Sequence, residues 1–555
     1  MPKTTAARIF GTDSIPLVFE RIARSHSERV VFRADGGLGR TYTYGEVLKT
    51  VRSLANGLCQ DAYRDRMEIG LLSENRPEWP ITYLGILAAG KTVVPIDANL
   101  KVEEIASILD HAGVDLLFTS DRFGKTLREI DRELTVFCFD GRSGSDWSAL
   151  FRQDGSPEPP GCQETAALIY TSGTTGAPKA VELTHRNLLS NVEGIASALR
   201  FNQSDVYLSV LPLHHTFEAT CGFLTPLFAG SSVVYGRSLK SKDILEDIRR
   251  NRTTFMCGVP LLYEKMYQSI NRRIQVAPVG RRIIFRILFL LSFIGWRLGA
   301  KWGRPLFRGL REKAGLDSIR MFVSGAAALP SKVARFFNLI GFDFLQGYGM
   351  TECSPVVSVN HPDDIEFGSV GPPLPNVEVQ IHKPDSSGVG EIIVRGGNTT
   401  PGYRGSPEKT AELIRDGWLH TGDLGRLKNG HLWITGRAKN LIVSAAGKNI
   451  YPEELEEKLI ESKYVLEAVV FGRNKESRQG EEVRALVVPD LEQFKVDYNL
   501  SVDNPELGRI ESVLSEVVVE TNRHIADYKR IARFHFQLDE LEKTSTKKVK
   551  RFLYK

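Results

Sequence analysis

The chain opens on an alternation of two hydrophobic periods. Glu46–Leu58 carries apolar residues at helical spacing, whereas Met67–Leu72 and Thr92–Ile96 are short, nearly continuous apolar runs. The first pattern predicts an amphipathic helix and the others buried strands. Val114–Thr119 and Leu134–Phe139 extend the series. Strands alternating with helices predict an α/β fold of layered subdomains around mainly parallel sheets. From Val377 the texture changes. Val377–Ile381, Glu391–Arg395 and His431–Thr435 are short strands separated by turn residues, which predicts a small β-rich unit. After Arg437 the αβ texture returns and runs to Lys555, with no internal repeat along the way.

Composition adds that 555 residues with 42% hydrophobic and 25% charged positions are ordinary globular material, enough for several structural units. Six cysteines lie far apart without a Cys-x-x-Cys pair, which excludes a zinc ribbon or redox dithiol and predicts a reduced, cytoplasmic setting. Met1 to Phe10 has no apolar run of the kind a secretory signal needs.

The formal charge of +5 is unevenly placed. Asn271 to Lys313 holds nine arginines and two lysines against a single acidic residue, Glu312. Basicity confined to one segment argues against a nucleic-acid partner, which needs a charged face or groove. Within it, Arg282–Trp296 is strongly apolar, but the uninterrupted run from Ile287 to Trp296 falls well short of the roughly 20 residues that cross a bilayer. Flanking arginines with Trp296, Trp302 and Phe307 nearby fit a helix lying in a membrane interface. The competing account is a core helix whose arginines snorkel to solvent. The expectation is peripheral membrane contact through about 272–313.

A loop rich in turn residues, Asp154–Gly161, precedes the predicted strand Ala166–Tyr170. That strand runs into Thr171-Ser-Gly-Thr-Thr-Gly-Ala-Pro-Lys-Ala180. Small hydroxyl and glycine residues let N–H and O–H groups converge on phosphate oxygens, and Lys179 adds a full charge. It is not a Walker loop, because no Gly-Lys-Ser/Thr follows at the required spacing. On composition alone a plain Ser/Thr/Gly turn is the commoner explanation.

The order of residues changes that balance. Tyr170–Lys179 followed by Leu183-Thr-His-Arg-Asn187 resembles the signature of the adenylate-forming superfamily, which includes acyl-CoA synthetases, luciferases and the adenylation domains of peptide synthetases. Gln346–Glu352, Thr421–Gly425, Gly436–Ile442, Asn449–Glu456 and Lys543–Arg551 resemble its further motifs, in family order across nearly the whole chain. The resemblance implies a large N-terminal adenylation domain over 1–436, with its β-rich subdomain at about 370–436. A hinge at 437–439 and a small mobile α+β domain at 440–555 follow.

It also implies the chemistry: a carboxylate attacks the α-phosphate of ATP, giving acyl-AMP and pyrophosphate, and a thiol then takes the acyl group. Thr171, Ser172, Gly173, Thr174, Thr175, Gly176 and Lys179 would hold the β- and γ-phosphates. Glu352 and Thr171 would ligate Mg²⁺, an oxygen set that suits this ion. Tyr348 would stack on adenine between Gly347 and Gly349, with Gln346 beside them and Gly325, Ala326 and Ala327 as the opposite wall. Asp423 would accept the ribose hydroxyls, and Thr351 would reach the α-phosphate. Arg437 lies where the family bends, and Lys439 is its pivot. Lys548 would serve the first half-reaction, with the adjacent Lys547 as the competing position, and Gly447-Lys448 would approach the thiol in the second. Ala180 and Glu182 replace a commoner glycine and an apolar residue.

Leu211–Glu218 resembles the corresponding segment of long- and medium-chain acyl-CoA synthetases, in which the second histidine, here His215, borders the acyl pocket. The expectation is a fatty acid–CoA ligase using ATP, Mg²⁺ and coenzyme A. The alternatives are an acyl carrier protein thiol as acceptor, or an aromatic or other acid as substrate. A catalytically silent acyl- or nucleotide-binding protein is the reading from another class. No carrier-protein module follows Lys555, which weakens a peptide-synthetase assignment.

Overall fold

The computed structural model describes residues 10–34, 40–155, 157–171, 179–444, 448–474, 481–500, 505–543 and 549–554. The predicted alternation is present. The helix Tyr44–Leu58 starts in a capping box: Thr43 Oγ1 accepts from the Glu46 amide, and Glu46 accepts from the Thr43 amide. Two otherwise orphaned donors are thereby satisfied. Its apolar stripe buries Val47, Val51, Leu54 and Leu58. The strands Glu68–Leu72, Thr92–Pro95, Leu116–Thr119 and Thr135–Cys138 pair in parallel, covered on both faces, which is why they read as continuous apolar runs.

Two eight-stranded sheets form most of the large N-terminal domain. The first runs Val356–Val359, Asp343–Gly349, Met321–Ser324, Phe255–Gly258, Val206–Ser209, Ser232–Tyr235, Val30–Ala34 and Tyr42–Thr43, parallel within and antiparallel at both edges. The second runs Gly402–Tyr403, Lys179–Thr184, Thr165–Thr171, Thr92–Pro95, Glu68–Leu72, Leu116–Thr119, Thr135–Cys138 and Ser145–Asp146. A five-stranded antiparallel sheet, Val377–His382 to His431–Arg437, is the β-rich unit. Beyond it, a hairpin (Ile442–Val443 with Asn449–Ile450) and the three strands Val465–Asn474, Glu481–Pro489 and Arg533–Phe536 surround a separate small core containing Leu455, Val470, Val487 and Leu514.

The small C-terminal domain rests on two helices of the large one, Pro260–Gln275 and Ser331–Leu339. Lys332 Nζ donates to the carbonyls of Ile460 and Glu461 at 2.7 and 3.1 Å, and Arg272 pairs with Asp490 at 3.1 Å. Ser331 and Lys265 of the same two helices add polar contacts to Glu457 at 3.1 Å and Glu540 at 3.8 Å.

Candidate active site

Thr171 closes one strand and Lys179 opens the next, and the two residues pair directly across the antiparallel ladder. Ser172, Gly173, Thr174, Thr175 and Gly176 lie outside the described residues, but both ends of their loop are held in register.

Lys179 Nζ sits over the ring of Tyr403, 5.3 Å from its centroid, a cation–π contact. The Tyr403 hydroxyl donates to Glu352 Oε1 at 2.7 Å. One tyrosine thus joins the loop lysine to the expected metal ligand. Burial, and then the Glu352 charge, hold the Tyr403 phenol well above its ordinary range, so it stays a donor. The anchoring is local: Tyr403 pairs with Val181 and Gly402 with Glu182, on the strand that begins at Lys179. The Glu352 carbonyl accepts from the Thr400 amide at 2.8 Å. Glu352, nearly buried, and Thr171 offer only oxygen donors, a set that fits a hard divalent cation rather than zinc or copper.

Glu182 has a partner that explains it. Arg404 bonds its carboxylate and also pairs with Glu68 at 3.1 Å. An acidic residue stands at a commonly apolar position because an arginine from a distant turn neutralises it.

The second cluster lies at the carboxyl ends of the parallel strands, where open α/β sheets place their ligands. Ser324 and Gln346 are in register there, and Gln346 Nε2 donates to the Leu329 carbonyl at 3.4 Å. Gly349 has no alternative: a Cβ would fall 2.0 Å from the Pro355 carbonyl oxygen. A Cβ on Gly325 would sit 2.9 Å from the Phe217 ring. Ala326 holds a φ of 72°, an uncommon conformation for a residue with a side chain. It turns the backbone out of the strand end next to exposed Ala327.

Tyr348, flanked by Gly347, donates its hydroxyl to Asp423 Oδ2 at 2.7 Å. Burial and the Asp423 charge raise its phenol well above the usual value. Arg437 Nε lies 2.7 Å from the other Asp423 oxygen. Tyr348, Asp423 and Arg437 come from different motifs and form one chain of contacts.

Thr351 joins this region to the histidine loop, since Thr216 Oγ1 lies 3.4 Å from Thr351 Oγ1. The rings of His214 and His215 are 4.2 Å apart, and His214 Nε2 is 3.3 Å from Asp97. Asn75 fixes the loop, donating to the Leu211 carbonyl at 2.6 Å and accepting from the Leu213 amide at 3.0 Å. Glu218 begins a π-helical turn, Glu218–Leu224, and is fully buried. Burial pushes its carboxyl up to about 8, and Tyr207 donates to it at 3.1 Å.

Of the remaining expected residues, Lys439 and Lys448 are among those described. Lys439 is exposed in a one-turn helix, Ala438–Asn440, beside a cavity of about 80 Å³ that Phe471, Glu481 and Arg551 also line. Lys448 is exposed, its ammonium 4.6 Å from the Tyr528 ring centroid. Gly447, Lys547 and Lys548 lie outside the described residues. Next to them, Lys543 and Val549 form an antiparallel bridge, and Lys543 bonds Glu467 and Glu540. Its ammonium is committed to the small domain's own structure.

Sequence reasoning missed Tyr403, Asn75 and Arg404. For Tyr403 a signal existed: it follows Gly402 and lies near Gly405, the same glycine-flanked tyrosine pattern that singled out Tyr348. Conversely, Thr184, His185 and Asn187 of the first motif are structural. Thr184 and Asn187 cap the helix His185–Ala198, and Asn187 Nδ2 also ties down the carbonyls of Gly397 and Thr399.

Fold and site together define a large N-terminal domain that carries both residue clusters, followed by a small C-terminal domain. The chain belongs to the AMP-binding enzymes, the adenylate-forming superfamily: that family's pattern matches residues 19–404, and the pattern of the AMP-binding enzyme C-terminal domain matches 454–548. Among relatives, long chain acyl-CoA synthetase 6, peroxisomal, of Arabidopsis thaliana is 32% identical over 79% of this chain and 68% of its own length. Long-chain-fatty-acid–CoA ligase FadD15 of Mycobacterium tuberculosis is 28% identical, covering 96% of this chain and 94% of its own. The fold is similar to that of a benzoate CoA ligase from Burkholderia xenovorans LB400 (TM-score 0.78, 22% identity, 97% and 99% coverage). It also resembles ATP-bound MatB from Rhodopseudomonas palustris (TM-score 0.77, 25% identity, 97% and 98% coverage).

Proposed function

We propose that this enzyme is an AMP-forming fatty acid–CoA ligase. The acid's carboxylate attacks the α-phosphate of ATP and expels pyrophosphate; the thiol of coenzyme A then attacks the acyl carbon of acyl-AMP and expels AMP. The observation that carries the reading is the Lys179–Tyr403–Glu352 linkage, which brings the loop cation and the oxygen ligand from distant motifs to one place. Two anions must meet in this reaction, and positive charge fixed in advance at the phosphates lowers its barrier.

In this reading the loop from Thr171 to Gly176, with Lys179, holds the β- and γ-phosphates. Glu352 and Thr171 hold Mg²⁺, which when bound neutralises phosphate charge. Tyr348 faces adenine, with Gln346, Gly347 and Gly349 shaping its side of the pocket and Gly325, Ala326 and Ala327 the other. Asp423 keeps free lone pairs beside its bonds to Tyr348 and Arg437, and these receive the ribose hydroxyls. Thr351 reaches the α-phosphate, and His215 borders the acyl chain. Domains 1–436 and 440–555 pivot at 437–439: Lys548 serves adenylation, and Gly447-Lys448 replaces it for transfer to sulfur. Peripheral membrane contact through about 272–313, on the cytoplasmic side, is proposed alongside this reading and does not depend on it.

AMP and pyrophosphate release, measured over straight-chain acids of increasing length and aromatic acids, with coenzyme A or a carrier protein as acceptor, tests it. Release that needs both a fatty acid and coenzyme A supports the reading. Turnover confined to aromatic acids, or to the carrier protein, replaces it with the corresponding alternative.

A further inference from the structure

The helix Val279–Arg297 has two faces with different partners. Its inner face is fixed to the large domain. Phe285 meets Phe307 at 5.3 Å between ring centroids, Trp296 stacks on Phe367 at 5.2 Å, and Ser292 Oγ donates to the Leu339 carbonyl at 2.6 Å. That packing sets the rotation of the helix about its axis, so the outer face is not open to adjustment.

The outer face is aliphatic. Val279, Ile283, Ile287, Leu290, Ile294 and Leu298 follow one another at steps of three or four residues, and all are 42–71% exposed. Helical periodicity sets them on one stripe, and Ile284 and Leu291 widen it, also exposed. Exposed apolar residues scattered singly are normal on a protein surface, but a contiguous stripe along a whole helix marks a contact surface. The same periodicity sets Arg282, Arg286 and Arg297 along one border of the stripe. Arg281, Arg282 and Arg286 make no ion pair among the described residues, whereas Arg272, Lys301 and Arg308 elsewhere in the basic segment do.

We propose that this helix lies flat in the headgroup layer of an anionic membrane, its aliphatic stripe among the acyl chains and its arginine border on lipid phosphates. Among the described residues no helix is long and apolar enough to cross a membrane, and a parallel orientation is the one a stripe on a single face permits. Charge selects the occupant. A second copy docked on this stripe would offer the arginines no carboxylate from its own helix, which carries none, whereas anionic lipid complements them. The use of the contact, uptake of a lipid-borne acid at the surface where it resides, rests on the ligase reading; the contact itself does not.

Flotation of the full chain with vesicles of phosphatidylcholine alone, or mixed with phosphatidylglycerol, tests the proposal. We compare wild type with I283D/I287D/L290D and with R282E/R286E, and assay each on a short, water-soluble acid. Expected are flotation with the mixed vesicles only, a loss of at least about tenfold in bound protein in both variants, and wild-type activity on the soluble acid. Wild type that stays unbound, variants that float like wild type, or a dimer that the aspartate substitutions dissolve would each overturn the membrane assignment. Flotation without ligase activity on any acid would instead sink the ligase reading and leave the contact standing.

Discussion

Asp423 and Arg437 face each other across neighbouring antiparallel strands, with Arg437 Nε 2.7 Å from Asp423 Oδ1. The relationship couples two parts of the reaction. Asp423 is the proposed ribose acceptor, and Arg437 is the first residue of the proposed hinge. A carboxylate bonded by both Tyr348 and Arg437 is fixed before nucleotide arrives, so little ordering remains to be done on binding.

Asp423→Asn keeps the shape and removes the charge. Calorimetric titration with ATP is expected to show affinity reduced about tenfold or more, the usual scale for losing a charge-assisted hydrogen bond. Unchanged affinity would remove Asp423 from the nucleotide site.

Tyr403→Phe removes the donor to Glu352 while keeping the ring under Lys179. If Tyr403 positions Glu352 toward a cation, acid-dependent ATP–pyrophosphate exchange falls by about tenfold, and the Mg²⁺ concentration giving half-maximal exchange rises. Equal loss at every Mg²⁺ concentration would point to a packing role alone.

Glu218 gives the fold a pH dependence of known sign. Its carboxyl is raised from 4.5 to about 8 in the folded protein, so the folded state binds the proton more tightly than the unfolded one. The stability it contributes is full below pH 4.5 and is lost as pH rises to about 8. Glu218→Gln removes this term. Between those values the stability of the variant relative to wild type is expected to rise with pH, by up to about 1.4 kcal/mol per pH unit. Thermal denaturation at several pH values reads it; parallel curves for the two proteins would contradict it.

Much of the fold was legible in the sequence because its rules are local. Met67–Leu72, Thr92–Ile96 and Leu134–Phe139 read as buried strands from their apolar runs and are observed as Glu68–Leu72, Thr92–Pro95 and Thr135–Cys138. The motif residues around the site were legible only through family resemblance. Tyr403, Asn75 and Arg404 were not, because their work is done across long stretches of chain: Tyr403 on Glu352, Asn75 on Leu211, Arg404 on Glu68. No periodicity in a single segment encodes such a pairing. The helix Val279–Arg297 lies between these cases. Its apolar character was plain, but which residues face outward became clear only once Phe285, Ser292 and Trp296 were seen against the large domain.

The sharpest test separates the two half-reactions in Lys548→Ala. One assay follows acid-dependent ATP–pyrophosphate exchange; the other supplies acyl-AMP and follows thioester formation with coenzyme A. A single pocket served in turn by two faces of the small domain predicts that exchange is nearly abolished while the thioester step largely survives. Equal loss of both steps would contradict the account.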